Sequence, residues 1–303
     1  MGKRYFFLRI GGPLGPERSR RKDDIMNIQN IKAYFRSLPA LLRSYGRVWL
    51  KLTIQQFESQ IANSRGAALL FMFGKLFRLA TAFLMLYVIM GKAKLIVGYT
   101  LPQAILILAL FNFVSTISQL FMRGIYMFRQ KIVDGTFDFY LLNQLSELFY
   151  SLFSYTDPID TLLVVPYLGL VVWAAANAGY PLTIPVAFIL LLIMIIGFVM
   201  VLSWHILILS IGVKYLEVDN TIMLYRDLEK MAAMPIEIYG KVGAGIMTYV
   251  FPFALIATIP ARYVFGLYNP LYLLGFAILA VIQIKLALYV WHRALMFYSS
   301  ASS

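Results

Sequence analysis

The chain has 303 residues, of which 61% are hydrophobic and only 14% charged, with a mean hydropathy of +0.76. So little polar surface cannot coat a water-soluble globule, the same figures exclude a disordered chain, and zero cysteines exclude a disulfide-stapled secreted domain while suiting loops in a reducing cytosol. The net charge of +13 could suggest nucleic acid, but the basic residues crowd the N-terminal end and the short loops, where they set membrane orientation instead.

What remains is an all-α integral membrane protein, because only a helix or a closed barrel hides its backbone polar groups from lipid and the short alternating segments of a barrel do not occur. The first segment, residues 1–25, reads as a disordered basic tail, with Gly, Pro and mixed charges from Gly11 to Asp24. It is not a secretory signal: Tyr5–Ile10 is interrupted by Arg9 and too short, and Ser19-Arg20-Arg21 lacks the apolar stretch of a twin-arginine signal. Met26 offers an alternative start. Residues 26–66 then carry Leu41, Tyr45, Val48, Trp49 and Leu52 at steps of three and four, with Arg43, Arg47 and Lys51 on the opposite side. That pattern predicts an amphipathic helix between Ala40 and Ser64, lying along the inner leaflet with its basic face toward anionic headgroups.

Over residues 67–298, six stretches approach the roughly 20 apolar residues a crossing helix needs. They are Ala68–Met90, Leu101–Met122, Thr161–Ala176, Ile184–Val213, Val242–Arg262 and Leu271–Trp291. Thirteen Lys and Arg precede the first, and Arg123, Arg129, Lys131, Lys214, Arg226, Lys230 and Lys241 mark two further connections, against Lys92, Lys94 and Arg262 on the other side. The positive-inside rule then predicts six spans in the inner membrane with both termini cytoplasmic.

Two long connections are expected in the cytoplasm. In the first, 123–158, Asp134-Gly135-Thr136-Phe137-Asp138 is a turn signal, followed by Leu141, Leu142, Leu145, Leu148, Phe149 and Leu152 at helical spacing. Asp157, Pro158 and Asp160 read as N-cap, N1 and N3 of the third span, and as caps rather than catalysts. The second, 214–241, alternates charge with apolar residues and is broken by Pro235. Residues 299–303 form a short C-terminal tail.

No Asp or Glu falls inside any of the six stretches, which disfavours ion-coupled transport through an intramembrane acid. No catalytic, metal or cofactor site is expected: there is no His-Glu-x-x-His, no Gly-x-Ser-x-Gly and no cysteine, and the two His residues lie far apart. Nor is there a Walker A sequence, so any ATP-driven role needs another polypeptide. Lys75 and Arg78, near the inner end of the first span, fit snorkelling to the interface or a path shared by protomers. His205 in the fourth span fits a packing histidine or a substrate contact.

A basic amphipathic helix, two spans, a cytoplasmic Val133-Asp134-Gly135-Thr136-Phe137-Asp138-Phe139-Tyr140-Leu141-Leu142 and four more spans together resemble a known arrangement. It is that of the permease subunits of ATP-binding-cassette (ABC) exporters of the type-two permease class, in the branch whose ATPase is encoded separately. Met234-Pro235-Ile236-Glu237-Ile238-Tyr239, Phe251-Pro252-Phe253 and Ile259-Pro260-Ala261 extend the resemblance, which covers Met26 to Phe297. Where that class continues Gly-x-x-Asp-x-x-Leu with a nearby Pro, this chain has Asn143-Gln144, which points to continuous helix.

The resemblance implies a noncatalytic subunit that forms the path with a second permease copy or a similar one, sits on two ABC ATPase subunits that bind ATP and Mg, contacts membrane lipids and binds no nucleic acid. It implies that Asp134, Gly135 and Asp138 belong to the ATPase coupling segment and that Pro252 and Pro260 break the fifth span into an outer gate. A path lined by apolar and aromatic residues would suit a lipid, an amphipathic drug or a peptide. The alternative is a multi-span membrane enzyme or lipid transferase with an unrecognised site.

Overall fold

The computed structural model describes residues 28–63, 65–93, 98–179, 183–216 and 218–298. The tails expected over 1–25 and 299–303 lie outside them, as does the alternative start Met26. The chain divides into two compact units, Met1–Leu50 and Lys51–Ser303. In the first, the described residues belong to helix α1 (Ile28–Asn63), which continues through Pro39 and so begins well before Ala40. Arg43 and Arg47 are exposed on it.

Among its described residues the second unit consists of helices joined by turns and short extended links, with no strand longer than a single bridge. Helix α2 (Arg65–Ala93) buries Leu86 against Ala104 and Leu108 but leaves Leu70, Phe71, Phe73, Phe77, Leu84 and Met85 uncovered. Helix α3 (Leu101–Met122) starts where Gln103 Oε1 accepts the Thr100 N–H at 3.0 Å, with Pro102 in the first turn, where a missing N–H costs nothing. After a 3₁₀ turn over Arg123–Met127 come three short helices, α4 (Phe128–Val133), α5 (Thr136–Leu142) and α6 (Glu147–Phe153). The Asn143-Gln144 segment is thus not continuous helix: Asn143 is extended and Ser146 caps α6 through the Leu148 N–H at 3.2 Å.

Helix α7 (Pro158–Asn177) returns along α3, and helix α8 (Ile184–Tyr215) pairs closely with the last helix. Among the described residues, five helices are long and apolar enough to cross a membrane, at Leu69–Val88, Leu101–Val133, Ile159–Asn177, Ile184–Tyr215 and Tyr272–Leu295. Five of the six apolar stretches read from sequence fall on them.

Val242–Arg262 does not. Helix α8 ends with Leu216 in the left-handed region, φ 58°, after which helix α9 (Val218–Glu229) turns back beside it. Gly212 permits the turn, since a Cβ there would meet the Val218 side chain. The chain then runs from one end of the unit to the other: Tyr225 packs on His205, Ala233 joins Ala104 and Leu108, and Glu237 accepts from the Tyr99 hydroxyl at 3.0 Å. So 218–239, expected in the cytoplasm, lies alongside α3 and α8.

The following segment is folded back on itself rather than continuous. It comprises helix α10 (Gly240–Gly245), a π turn over Ile246–Val250, helix α11 (Phe253–Ile256) and helix α12 (Thr258–Val264). It leaves from and returns to the Tyr99 end, where Arg262 pairs with Glu237 at 3.3 Å and Phe265 packs on Tyr99. Its tip reaches Trp204, whose Nε1 donates to the Val250 carbonyl at 3.0 Å. Trp204 is about 20 Å further along α8 than Leu190, which packs with Tyr99, at 1.5 Å per residue. Helix α13 (Tyr272–Leu295) completes the unit. The physical reason is Phe251-Pro252-Phe253: proline removes a helical donor, and aromatic stacking on Trp204 holds the reversal.

Candidate functional site

Four charges meet where α3 ends and α7 begins. Asp157 caps α7, its Oδ1 accepting the Ile159 N–H at 2.9 Å, and Pro158 occupies the first helical position. The other oxygen accepts from Lys75 Nζ at 3.0 Å and Arg123 Nη1 at 2.8 Å, and Asp160 receives the same two cations at 2.6 and 2.9 Å. Burial alone would raise the Asp157 carboxyl, but Arg123 and then Lys75 outweigh it and hold it below its usual value. Lys75 therefore turns inward onto two carboxylates instead of reaching for an interface. The caps were legible in sequence; their second task, neutralising Lys75 and Arg123, was not, because the partners lie more than thirty residues away.

This cluster forms one wall of a cavity of about 310 Å³ between α2, α3 and the 218–239 segment. Arg78 lines it from α2, Ser115 and Gln119 from α3, and Arg226, Glu229 and Lys230 from the third side. Glu229 is 3% exposed, with Arg226 and the Ser115 side chain flanking its carboxylate. Its Oε1 and the Gln119 Oε1 are buried without a hydrogen-bond partner among the described residues. Arg226 also lies 5.7 Å over the Tyr126 ring, and Lys230 pairs with Asp227 at 2.6 Å. No carboxylate was expected among the apolar helices; the route of 218–239 brings one there.

A second assembly surrounds the Asp134–Leu142 elbow. Gly135 adopts φ 70°, which an L side chain rarely tolerates, and so reverses the chain between α4 and α5. Phe137 is fully buried against Phe128, Trp291 and Tyr298, and Trp291 Nε1 donates to Glu147 at 3.1 Å. Asp138 accepts from the Tyr298 hydroxyl at 2.9 Å. Burial, and then that hydrogen bond, push the Tyr298 phenol up to about 12, so it stays a donor. Asp134, Val133, Phe139 and Leu142 remain exposed at the tip. The elbow is fastened to the end of α13, a link that no local sequence pattern announces.

The remaining expected site residues sit apart. His205 is buried, its Nδ1 on the Val201 carbonyl at 2.9 Å and its ring edge-on to Tyr225, and it does not line the cavity. Pro252 lies at the tip of the 240–264 reversal and Pro260 inside α12, both buried.

A sequence model of the ABC-2 family transporter proteins matches residues 76–302, well over half of the chain, and the chain belongs to that family. No curated protein and no solved structure matches. Membership, with five apolar helices of crossing length, makes the chain a multi-pass membrane protein and a permease component of an ABC transporter.

Proposed function

We propose that this ABC-2 family permease is the membrane half of an ATP-driven exporter. Two copies, or one copy and a similar subunit, would sit on two separately encoded ATPase subunits that bind ATP and Mg, in the inner membrane with both termini cytoplasmic. The observation that carries this is the elbow. An exposed apolar tip of Val133, Phe139 and Leu142 is held by Phe137 and Asp138 to the C-terminal end of α13, so a push on the tip reaches a long apolar helix without slack.

Two further readings follow. The 218–239 segment is the fifth crossing, which keeps the count at six and leaves 240–264 as a reversal dipping from the outer side, with Pro252 at its tip. The cavity beside α2 is the inner part of the path. The uncovered apolar face of α2 supports contact with lipid or a second permease, since water would not leave so many large side chains bare.

Affinity purification of the tagged chain, co-expressed with a candidate ABC ATPase from the same genome, tests the reading. The ATPase should co-purify and hydrolyse ATP faster than alone, and Phe139→Asp with Leu142→Asp should abolish both while the permease still reaches the membrane. Undiminished association of that variant would remove the elbow from the coupling role.

A further inference from the structure

The cavity is not neutral in a uniform way. Lys75 and Arg123 are balanced by Asp157 and Asp160. Beyond that quartet the α2 wall offers Arg78, which forms no ion pair among the described residues, while α3 and the 218–239 side each offer one buried acceptor oxygen without a hydrogen-bond partner among the described residues, Gln119 Oε1 and Glu229 Oε1, the latter with Arg226 and Ser115 beside its carboxylate. A buried acceptor left unpaired carries its full desolvation penalty, and a charged one carries more. A ligand that relieves both walls must carry N–H donors at one end and an anion at the other. The volume, about 310 Å³, is at the small end for a ligand pocket, enough for a headgroup rather than a whole drug. Lys75 and Arg78 also border a trough lined by Leu70, Phe71 and Gly74, so an apolar chain has somewhere to lie beside the cations.

From this we infer that the chamber between α2, α3 and the 218–239 segment binds a zwitterionic group pairing a primary ammonium with a phosphate, carried on an apolar chain. The ammonium meets Glu229 and Gln119, the phosphate meets Arg78, and the chain follows the trough. This rests on the chamber being part of the path and names the class of substrate it would accept.

The test measures binding without transport. The purified full chain in maltoside micelles is titrated with lysophosphatidylethanolamine, lysophosphatidylcholine, lysophosphatidylglycerol and soluble phosphoethanolamine, and occupancy is counted by native mass spectrometry. Ethanolamine lipid should bind at least about tenfold tighter than the choline lipid, whose nitrogen has no N–H to donate, and than the glycerol lipid, which has no ammonium. Glu229→Leu should erase the ethanolamine preference, and Arg78→Leu should weaken all three lipids. Soluble phosphoethanolamine should compete only at far higher concentration. Equal binding of the three lipids by the unaltered chain, a preference that survives Glu229→Leu, or soluble phosphoethanolamine competing as well as the lipid would overturn the inference. If the ATPase still co-purifies in that event, the substrate class alone falls and the permease reading stands.

Discussion

Replacing Lys75 by Met removes one of two cations from a cluster whose carboxylates have 9%-exposed side chains, and cuts contacts of 2.6 and 3.0 Å. Stripping a partner from a fully buried ion pair costs about 3–5 kcal/mol, because a charge stays behind unpaired. Here Lys75 is itself 20% exposed and Arg123 still bridges both carboxylates at 2.8 and 2.9 Å, so the loss should be smaller, about 2 kcal/mol. For a chain of this size that is a fall of roughly 3 °C in the unfolding midpoint, read by tryptophan fluorescence in detergent. Adding Asp160→Asn removes the orphaned charge and should recover about 1 kcal/mol, a non-additivity expected only of groups in contact. A midpoint unmoved by Lys75→Met, or a double variant whose losses simply add, would refute the balanced quartet.

Other outcomes are equally open to measurement. In Gly197→Ala the new Cβ would sit 2.9 Å from the Leu255 carbonyl oxygen, backbone against backbone, and should cost about 1–3 kcal/mol in the same assay by prying the α11 turn from α8. Because Asp157 is held below its usual value, its ionised form stabilises the fold at neutral pH, and that contribution should begin to fall near the ordinary 3.8 and be gone only once pH drops below the lowered folded value. Asp157→Asn, which keeps the cap, should show a shallower acid loss. Tyr298→Phe removes the hydrogen bond to Asp138 and should leave the ATPase bound while lowering its stimulation, measured as ATP turnover of the complex.

Much of the fold is written in hydropathy. The stretch Leu101–Met122 coincides with α3, and Asp157-Pro158 announced the start of α7, because capping and apolar runs are local. The fifth apolar stretch misled for a physical reason: hydropathy counts residues and cannot see that Pro252 and a stacked aromatic tip turn Val242–Arg262 back on itself. The converse holds for part of 218–239: Asp227 and Lys230 pair with each other on an exposed face, as a solvated reading expects, but Glu229 is buried beside Ser115 of α3 and Arg226 lies over the Tyr126 ring. Lys75 and Arg78 were visible as charges out of place, but their division of labour depends on which one finds carboxylates, and only tertiary geometry decides that. The Gly135 turn was legible; the bond from Asp138 to Tyr298, just past the end of α13 and 160 residues away, was not.

The charged 218–239 segment is proposed to cross the membrane and to wall the chamber. Since the chain has no cysteine, one can be placed at will; Tyr215, at the end of α8 just before that segment, and Ile238, near the segment's far end, are both exposed. Single-cysteine chains in sealed right-side-out vesicles would be treated with a membrane-impermeant maleimide. If the segment crosses, Ile238→Cys labels at once and Tyr215→Cys only after the vesicles are opened; labelling of both only after opening would rule the crossing out.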